Sequence, residues 1–298
     1  MKVAVTGSSG LIGTALVRAL LADGHEVLRL VRRTPRTADE HRWEPALHRI
    51  PPGLLDDVDA VVNLAGVGVS DRRWTARHKE QVLRSRVDST TTMSQALADA
   101  TPGRDRVLLS GSAVGWYGDT GDRVVAEDDP AGDDFLAQVC VQWEAATAPA
   151  AAAGVRVVTL RTGLVLAGGG LLGRLAPLFK LGLGGKLGSG RQYMPWIGLQ
   201  DEVDAIRFLL AAPVTGPVNL TAPTPATNAE FTAALAAVVH RPALLTVPGI
   251  ALQAVLGEFA QVGVLAGQRA VPAALQAAGF TFSQPELPTA LQAALARR

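Results

Sequence analysis

A chain of 298 residues with 48% hydrophobic side chains can bury a sizeable core, as one large domain or two modest ones. Its net charge of +1 gives no electrostatic reason to expect a nucleic acid or an anionic membrane as partner. The single cysteine, Cys140, rules out an intrachain disulfide and a cysteine-cluster metal site and fits a reducing cytoplasm. No apolar stretch reaches membrane-span length without charges or glycines interrupting it, and Met1 running directly into the first strand leaves no room for a signal peptide. A cytoplasmic protein acting on a small molecule is the expectation.

The first predicted strand, Lys2–Thr6, leads into Gly7-Ser8-Ser9-Gly10-Leu11-Ile12-Gly13 and an apolar-periodic helix, Leu11–Ala22. A stop at Gly24 precedes a second strand, Glu26–Val31, which ends on Arg32 and Arg33. Strand, glycine turn and helix together read as a dinucleotide site. Gly7 permits a tight turn with positive φ, Gly10 carries no Cβ where a pyrophosphate must approach, and Gly13 lets helix and sheet pack closely. The backbone N–H groups around Ser9, Leu11 and Ile12 then point at the phosphates from the positive end of the helix. An acidic residue at the end of the second strand would bind a ribose 2′-hydroxyl. Two arginines suit a 2′-phosphate instead, so the cofactor expected is NADP(H), a solvated strand end being the plain alternative.

Strands continue at 59–64, 106–110 and 155–161, alternating with helices at 75–98 and 135–153. That alternation is the pattern of right-handed βαβ units. The fold class expected is α/β, a Rossmann-type doubly wound parallel sheet with a smaller, mainly α substrate-side lobe. The cofactor-binding domain would span 1–166, with 192–212 returning to it, and the substrate-side lobe 167–298, including a helical domain at 240–298. In the second part, glycine-rich loops at 168–170 and 183–191 precede a helix at 201–211 and a strand near 218–220. Helices follow at 228–239, 250–265 and 287–297.

Open sheets of this kind bind ligands beyond the carboxyl ends of their strands. Leu64, Ala65 and Gly66 put small or backbone groups where the adenosine part of a cofactor would lie, or else form an ordinary strand-to-loop transition. Ser110 opens the loop Ser110-Gly111-Ser112-Ala113-Val114-Gly115-Trp116-Tyr117-Gly118. There Ser112 is placed to hold a substrate oxygen and Tyr117 to offer a phenol proton, unless both merely cap the loop and fill a pocket wall. Thr162 and Gly163, just past the strand at 155–161, join the cofactor-site candidates.

These segments resemble the extended and atypical short-chain dehydrogenase/reductases, in the NAD-dependent epimerase/dehydratase-like branch. The resemblance is greatest to the sugar-nucleotide-epimerase-like family that carries its own small C-terminal domain. It rests on Gly7 to Gly13, Asn63 to Gly66, Arg73-Trp74-Thr75, Ser85-Arg86, Ser110 to Gly118, Trp143-Glu144 and Arg161 to Leu166. Further matches are Gly188-Ser189-Gly190-Arg191-Gln192, Trp196-Ile197, Gly267-Gln268-Arg269 and Gly279-Phe280. It implies a Rossmann domain with the second lobe over the nicotinamide end, and it adds Trp43, Arg73 and Arg161 to the residues lining the cofactor site. For Arg161 a strand-end arginine paired with a carboxylate is the alternative.

The superfamily usually relies on Tyr-x-x-x-Lys, in which the ammonium lowers the tyrosine pKa. Here the only tyrosines are Tyr117 and Tyr193, followed four residues later by Gly121 and Ile197. Counting back from Glu144 puts Leu136 and Cys140 at the two positions, so the standard relay is missing. Val67 and Gly198 likewise stand where the family usually has Glu and His. No histidine, lysine or arginine lies within a helical turn of Cys140 to make it a nucleophile. The five histidines lack metal-ligand spacing, so no metal is expected. Two readings follow: an NADP(H)-dependent oxidoreductase or epimerase/dehydratase-like enzyme working by hydride transfer on a small carbonyl or hydroxyl substrate, such as a sugar nucleotide, or a non-catalytic NADP(H)-binding sensor. Substrate and oligomeric state are not legible.

Overall fold

The computed structural model describes residues 1–296. Its central element is a seven-stranded sheet. The strands are β1 (Lys2–Thr6), β2 (Glu26–Val31), β3 (Glu40–Arg42), β4 (Ala60–Asn63), β5 (Val107–Ala113), β6 (Arg156–Thr162) and β7 (Gly216–Leu220). Their order across the sheet is β7-β6-β5-β4-β1-β2-β3, with β3, β2, β1, β4 and β5 pairing in parallel. The order reverses between β1 and β4. There the carboxyl ends of adjacent strands diverge into connections on opposite faces, which opens a crevice. This is the Rossmann-type α/β sheet the alternation predicts.

Helices α1 (Leu11–Ala22), α2 (Ala76–Ala98), α3 (Phe135–Ala145) and α4 (Ala148–Ala152) serve as crossovers. β1 and β4 read almost wholly apolar because both their faces are covered. Beneath α2 and α4, a core of Leu28, Leu30, Val61, Leu108, Met93 and Ala150 excludes water. Each such leucine contributes roughly 1.5–3 kcal/mol by leaving water. The single helix expected over 135–153 is interrupted at residues 146–147. Pro149 has no N–H to continue the ladder, and its ring would strike the carbonyl four residues back.

The chain divides into two compact, interleaved units. The first comprises Met1–Ser112, Val139–Leu160 and Ile206–Pro217; the second comprises Ala113–Gln138, Arg161–Ala205 and the chain from Val218 onward. Segments are thus exchanged rather than split once near residue 166, the division crossing β5 and β6 near their carboxyl ends and β7 near its start.

The second unit is less helical than its sequence suggests. It holds four two-stranded pairings, among them Leu164–Leu166 with Trp196–Gly198 and Gly185–Leu187 with Leu245–Val247. Helices α5 (Gly170–Lys180), α6 (Leu199–Ala211, which enters the first unit at Ile206) and α7 (Asn228–Val238) accompany them. α7 begins with a capping box: the Thr227 hydroxyl accepts from the Glu230 N–H, and Glu230 accepts from the Thr227 N–H. The helix expected at 250–265 breaks at Gly257, whose φ is +64°, into Gly249–Leu256, Glu258–Ala260 and a wide turn at Gln261–Leu265. The final helix runs Leu287–Ala296, so the predicted end at Arg297 lies outside the described residues. Leu172, Trp196, Phe231, Leu235 and Leu291 form this unit's core.

Candidate functional site

The glycine turn after β1 has the backbone a dinucleotide loop requires. Gly7 sits at φ +64°, and a Cβ there would lie 2.7 Å from the Leu64 carbonyl oxygen. A Cβ on Gly13 would come within 2.2 Å of the Gly7 carbonyl oxygen, so only glycine lets α1 pack on the turn. Gly10 is exposed and caps α1 without any side-chain hydrogen bond. No side-chain oxygen therefore competes for the first-turn N–H groups of Leu11, Ile12 and Gly13, and an anion can take them. Ser9 and Leu11 are exposed beside this end.

The two arginines after β2 play different parts. Arg33 makes a two-pronged ion pair with Glu40 on β3, Nη1 to Oε2 at 2.7 Å and Nη2 to Oε1 at 2.6 Å. Glu40 also accepts the Arg36 N–H at 2.8 Å and stands 3.5 Å from Arg29, which itself binds Asp39. The Arg33 guanidinium, helped by the Arg36 N–H, holds the Glu40 carboxyl down at about 2. Arg32 is exposed, and among the described residues no group engages its guanidinium. The clamp on Glu40 shapes the turn, and Arg32 is left available to a ligand.

A buried polar network fixes the strand ends below. Thr6 Oγ1 donates to Asn63 Oδ1 at 2.6 Å and accepts the N–H groups of Leu64 and Ala65, each at 3.1 Å. Asn63 Nδ2 and the Trp143 indole N–H both donate to Thr90 Oγ1, at 2.9 and 3.0 Å. β1, β4, α2 and α3 are thereby locked around the turn Leu64, Ala65, Gly66. Ser85 accepts the Val67 N–H at 3.0 Å, and Arg86 donates to the Val67 carbonyl at 2.8 Å with its guanidinium 4.9 Å above the Trp143 ring. Sequence reading places none of Thr6, Asn63, Thr90 and Trp143 in the site. Only Thr6 and Asn63 carry a local signal, a polar side chain closing an otherwise apolar strand.

At the end of β5, Ser110 is fully buried and Ser112 nearly so. Ser112 Oγ donates to Glu144 Oε1 on α3 at 2.6 Å. A Cβ on Gly111 would meet the Trp143 ring at 2.8 Å, so Gly111 is what lets α3 come close enough for that bond.

Tyr117, Arg161, Thr162 and Gly163 belong to the second unit. The Tyr117 phenol, expected to offer a proton, is only 3% exposed; it donates to Asn219 Oδ1 at 2.7 Å and accepts from Arg161 Nη1 at 3.1 Å. Burial pushes its pKa up to about 12, against the opposing influence of Arg161. Arg161, also counted as a cofactor ligand, is 2% exposed, stacked 3.9 Å from the Trp116 ring centre and donating to the Glu127 carbonyl at 3.0 Å. It is a cationic pillar within the unit. Gly163 is needed for packing, since a Cβ would lie 2.3 Å from the Pro195 carbonyl oxygen. Thr162 is part-exposed and donates to Glu202 Oε1 at 3.0 Å. Glu202 is fully buried, its Oε2 has no hydrogen-bond partner, and burial raises its pKa to about 8.

Of the other expected residues, Arg73 is exposed. Trp43 is 2% exposed and packs with Leu28, Leu30 and Leu55 in the apolar core, because β3 turns its successor inward. Cys140 is buried on α3. Among the described residues no three His, Cys, Asp or Glu side chains group as a metal site, and no helix is long and apolar enough to cross a membrane.

Comparison with known proteins adds to this geometry. The family described as NAD dependent epimerase/dehydratase matches residues 3–221, and a domain of unknown function, DUF1731, matches residues 247–294. An epimerase family protein of Mycobacterium bovis, Mb2239, is 53% identical over 297 residues, covering 99% of this chain and 98% of the relative. The crystal structure of human epimerase family protein SDR39U1 (isoform 2) with NADPH superposes with a TM-score of 0.91 at 35% identity, covering 100% of both chains. A nucleoside-diphosphate sugar epimerase from Corynebacterium glutamicum gives a TM-score of 0.82 at 38% identity, covering 99% of this chain and 58% of that one.

Proposed function

The chain belongs to the NAD-dependent epimerase/dehydratase family, and from that premise we propose that it is an NADP(H)-dependent enzyme acting by hydride transfer on a small carbonyl or hydroxyl substrate. The observation that carries the cofactor assignment is the division of labour after β2. Arg33 is bound up with Glu40, while Arg32 stands exposed and unengaged where a 2′-phosphate would lie. The NADPH in the human relative's crystal structure supports the same choice.

The residues present fit the group. The Gly7 turn and the uncapped start of α1 would take the pyrophosphate, Arg32 the 2′-phosphate, and Leu64 to Gly66 the adenosine side. When bound, the nicotinamide supplies or accepts the hydride, and the protein orients the partners. Ser112, held by Glu144, is the side chain that meets the substrate oxygen. Tyr117 serves a structural role here, its hydroxyl being spent on Asn219 and Arg161.

Calorimetric titration with NADPH and NADH tests the cofactor claim. Tighter binding of NADPH, lost in Arg32→Ala, is expected, and failure to bind either cofactor would remove the reading. A non-catalytic sensor remains the second reading, favoured by the absence of any Tyr-x-x-x-Lys pair. Selective NADPH binding without turnover across a panel of small alcohols, aldehydes, ketones and sugar nucleotides would establish it instead.

A further inference from the structure

Ser112 stands at the carboxyl end of β5, the position where a parallel α/β sheet presents ligand-binding groups. Its hydroxyl hydrogen is directed to Glu144 Oε1 across 2.6 Å, a short contact of the charge-assisted kind. A hydroxyl whose hydrogen is committed to a carboxylate presents lone pairs to everything else. It can accept a hydrogen bond from a substrate hydroxyl but has no hydrogen left to polarise a substrate carbonyl.

The helix supports the same assignment. Leu136, Cys140 and Glu144 recur every four residues on α3 and so share one stripe of its surface. Leu136 is aliphatic and the Cys140 thiol is buried. Glu144 is the one carboxylate of the stripe, and Gly111, by admitting the Trp143 ring, lets it reach the serine. Thr147 caps the arrangement by donating to the Glu144 carbonyl at 2.7 Å.

We propose that Ser112 and Glu144 form a two-residue proton acceptor and that the substrate enters as an alcohol, a step resting on the NADP(H) assignment above. The substrate O–H proton passes to Ser112 Oγ while the Ser112 proton passes to the Glu144 carboxylate. The carbinol C–H leaves as hydride to NADP⁺, and the products are a carbonyl, NADPH and a protonated Glu144, which returns its proton to water. In an epimerase the same steps run backwards on the other face of the carbonyl. Ser112 touches the substrate; Glu144 acts through it as a positioning and proton-storing residue.

The test uses the full chain and two kinds of readout. In cofactor-free protein carrying ¹³C-labelled glutamate carboxyl groups, Ser112→Ala is expected to move the Glu144 resonance, which Glu144→Gln identifies by its loss. With NADP⁺ and 2-propanol, cyclohexanol and UDP-glucose as probes, oxidation is expected from at least one. Glu144→Gln should then cut kcat by 100-fold or more with KM little changed. An unmoved resonance, a kcat within twofold of wild type in Glu144→Gln, or NADP⁺ binding with no alcohol oxidised would each overturn the proposal. Absence of NADP⁺ binding would instead bring down the cofactor reading beneath it.

Discussion

Replacing Glu202 should change how stability depends on pH, because its carboxyl group is wholly buried with a single hydrogen-bond partner, Thr162. In the unfolded chain the group ionises around its ordinary value of 4.5; in the folded chain burial holds the proton until about pH 8. Between those values the native state binds a proton that the unfolded state has lost, so raising the pH favours unfolding. The stabilisation is fully present below 4.5 and gone above 8. At about 1.4 kcal/mol per pH unit the whole span amounts to about 5 kcal/mol. Glu202 lies in the first turn of α6, where the helix dipole favours an anion and takes back up to about 1 kcal/mol, leaving about 4 kcal/mol.

Glu202→Gln keeps an acceptor for the Thr162 hydroxyl and cannot ionise. Urea denaturation of wild type and Glu202→Gln at pH 5.5, 7.0 and 8.5 isolates the effect, since every other titrating group is common to both proteins. Wild type should lose most of about 4 kcal/mol relative to the variant over that range, the loss steepest below pH 8. Asp39 and Glu40, both held at about 2 by arginines, are ionised in folded and unfolded chains alike there and contribute no slope. Parallel pH dependences, within about 1 kcal/mol, would refute the argument that this carboxyl is buried neutral.

Four other outcomes follow from the geometry. Arg32→Ala should weaken NADPH by about 10- to 100-fold while leaving NADH nearly unchanged, since one charge-assisted contact is worth roughly 1.5–3 kcal/mol; equal losses for the two cofactors in calorimetry would contradict the 2′-phosphate role. Arg33→Ala should act first on folding, lowering the urea midpoint by releasing Glu40, and only secondarily on affinity. Gly13→Ala should cost about 1–3 kcal/mol in denaturant titration and loosen cofactor binding, because its Cβ would lie 2.2 Å from the Gly7 carbonyl oxygen. Tyr117→Phe should lower thermal stability by about 1 kcal/mol through its lost bonds to Asn219 and Arg161 and leave NADPH affinity intact; a large loss of affinity would return the phenol to the cofactor site.

The sequence discloses what is decided over a few neighbouring residues. The glycine spacing is legible because positive φ at Gly7 and the contact of Gly13 with Gly7 are local requirements, and β1, β2 and α1 carry their periodicity in their own residues. What escapes it depends on distant partners. Arg32 and Arg33 look alike until β3, three polar residues with no strand signature, brings Glu40 back against one of them. Tyr117 resembles a proton donor until Asn219, 102 residues away, occupies its hydroxyl. The family resemblance alone places Trp43 and Arg161 at the cofactor site, and such a resemblance carries no information on which way a side chain turns; both are buried.

That contrast also bears on the missing Tyr-x-x-x-Lys pair. A motif search finds Leu136 and Cys140 and concludes that proton transfer has been lost. Yet a proton acceptor needs only a substrate-facing hydroxyl and a base within hydrogen-bond reach of it, and the spacing of the two along the chain is free once the fold joins β5 to α3. Ser112 and Glu144 are 32 residues apart and 2.6 Å apart. Moving the base one turn along the same helix, from the lysine position to Glu144, changes its chemistry from a cation that lowers a phenol's pKa to an anion that receives a proton directly. A loss of kcat at nearly constant KM in Glu144→Gln therefore distinguishes a relay that has been relocated from one that has been abandoned.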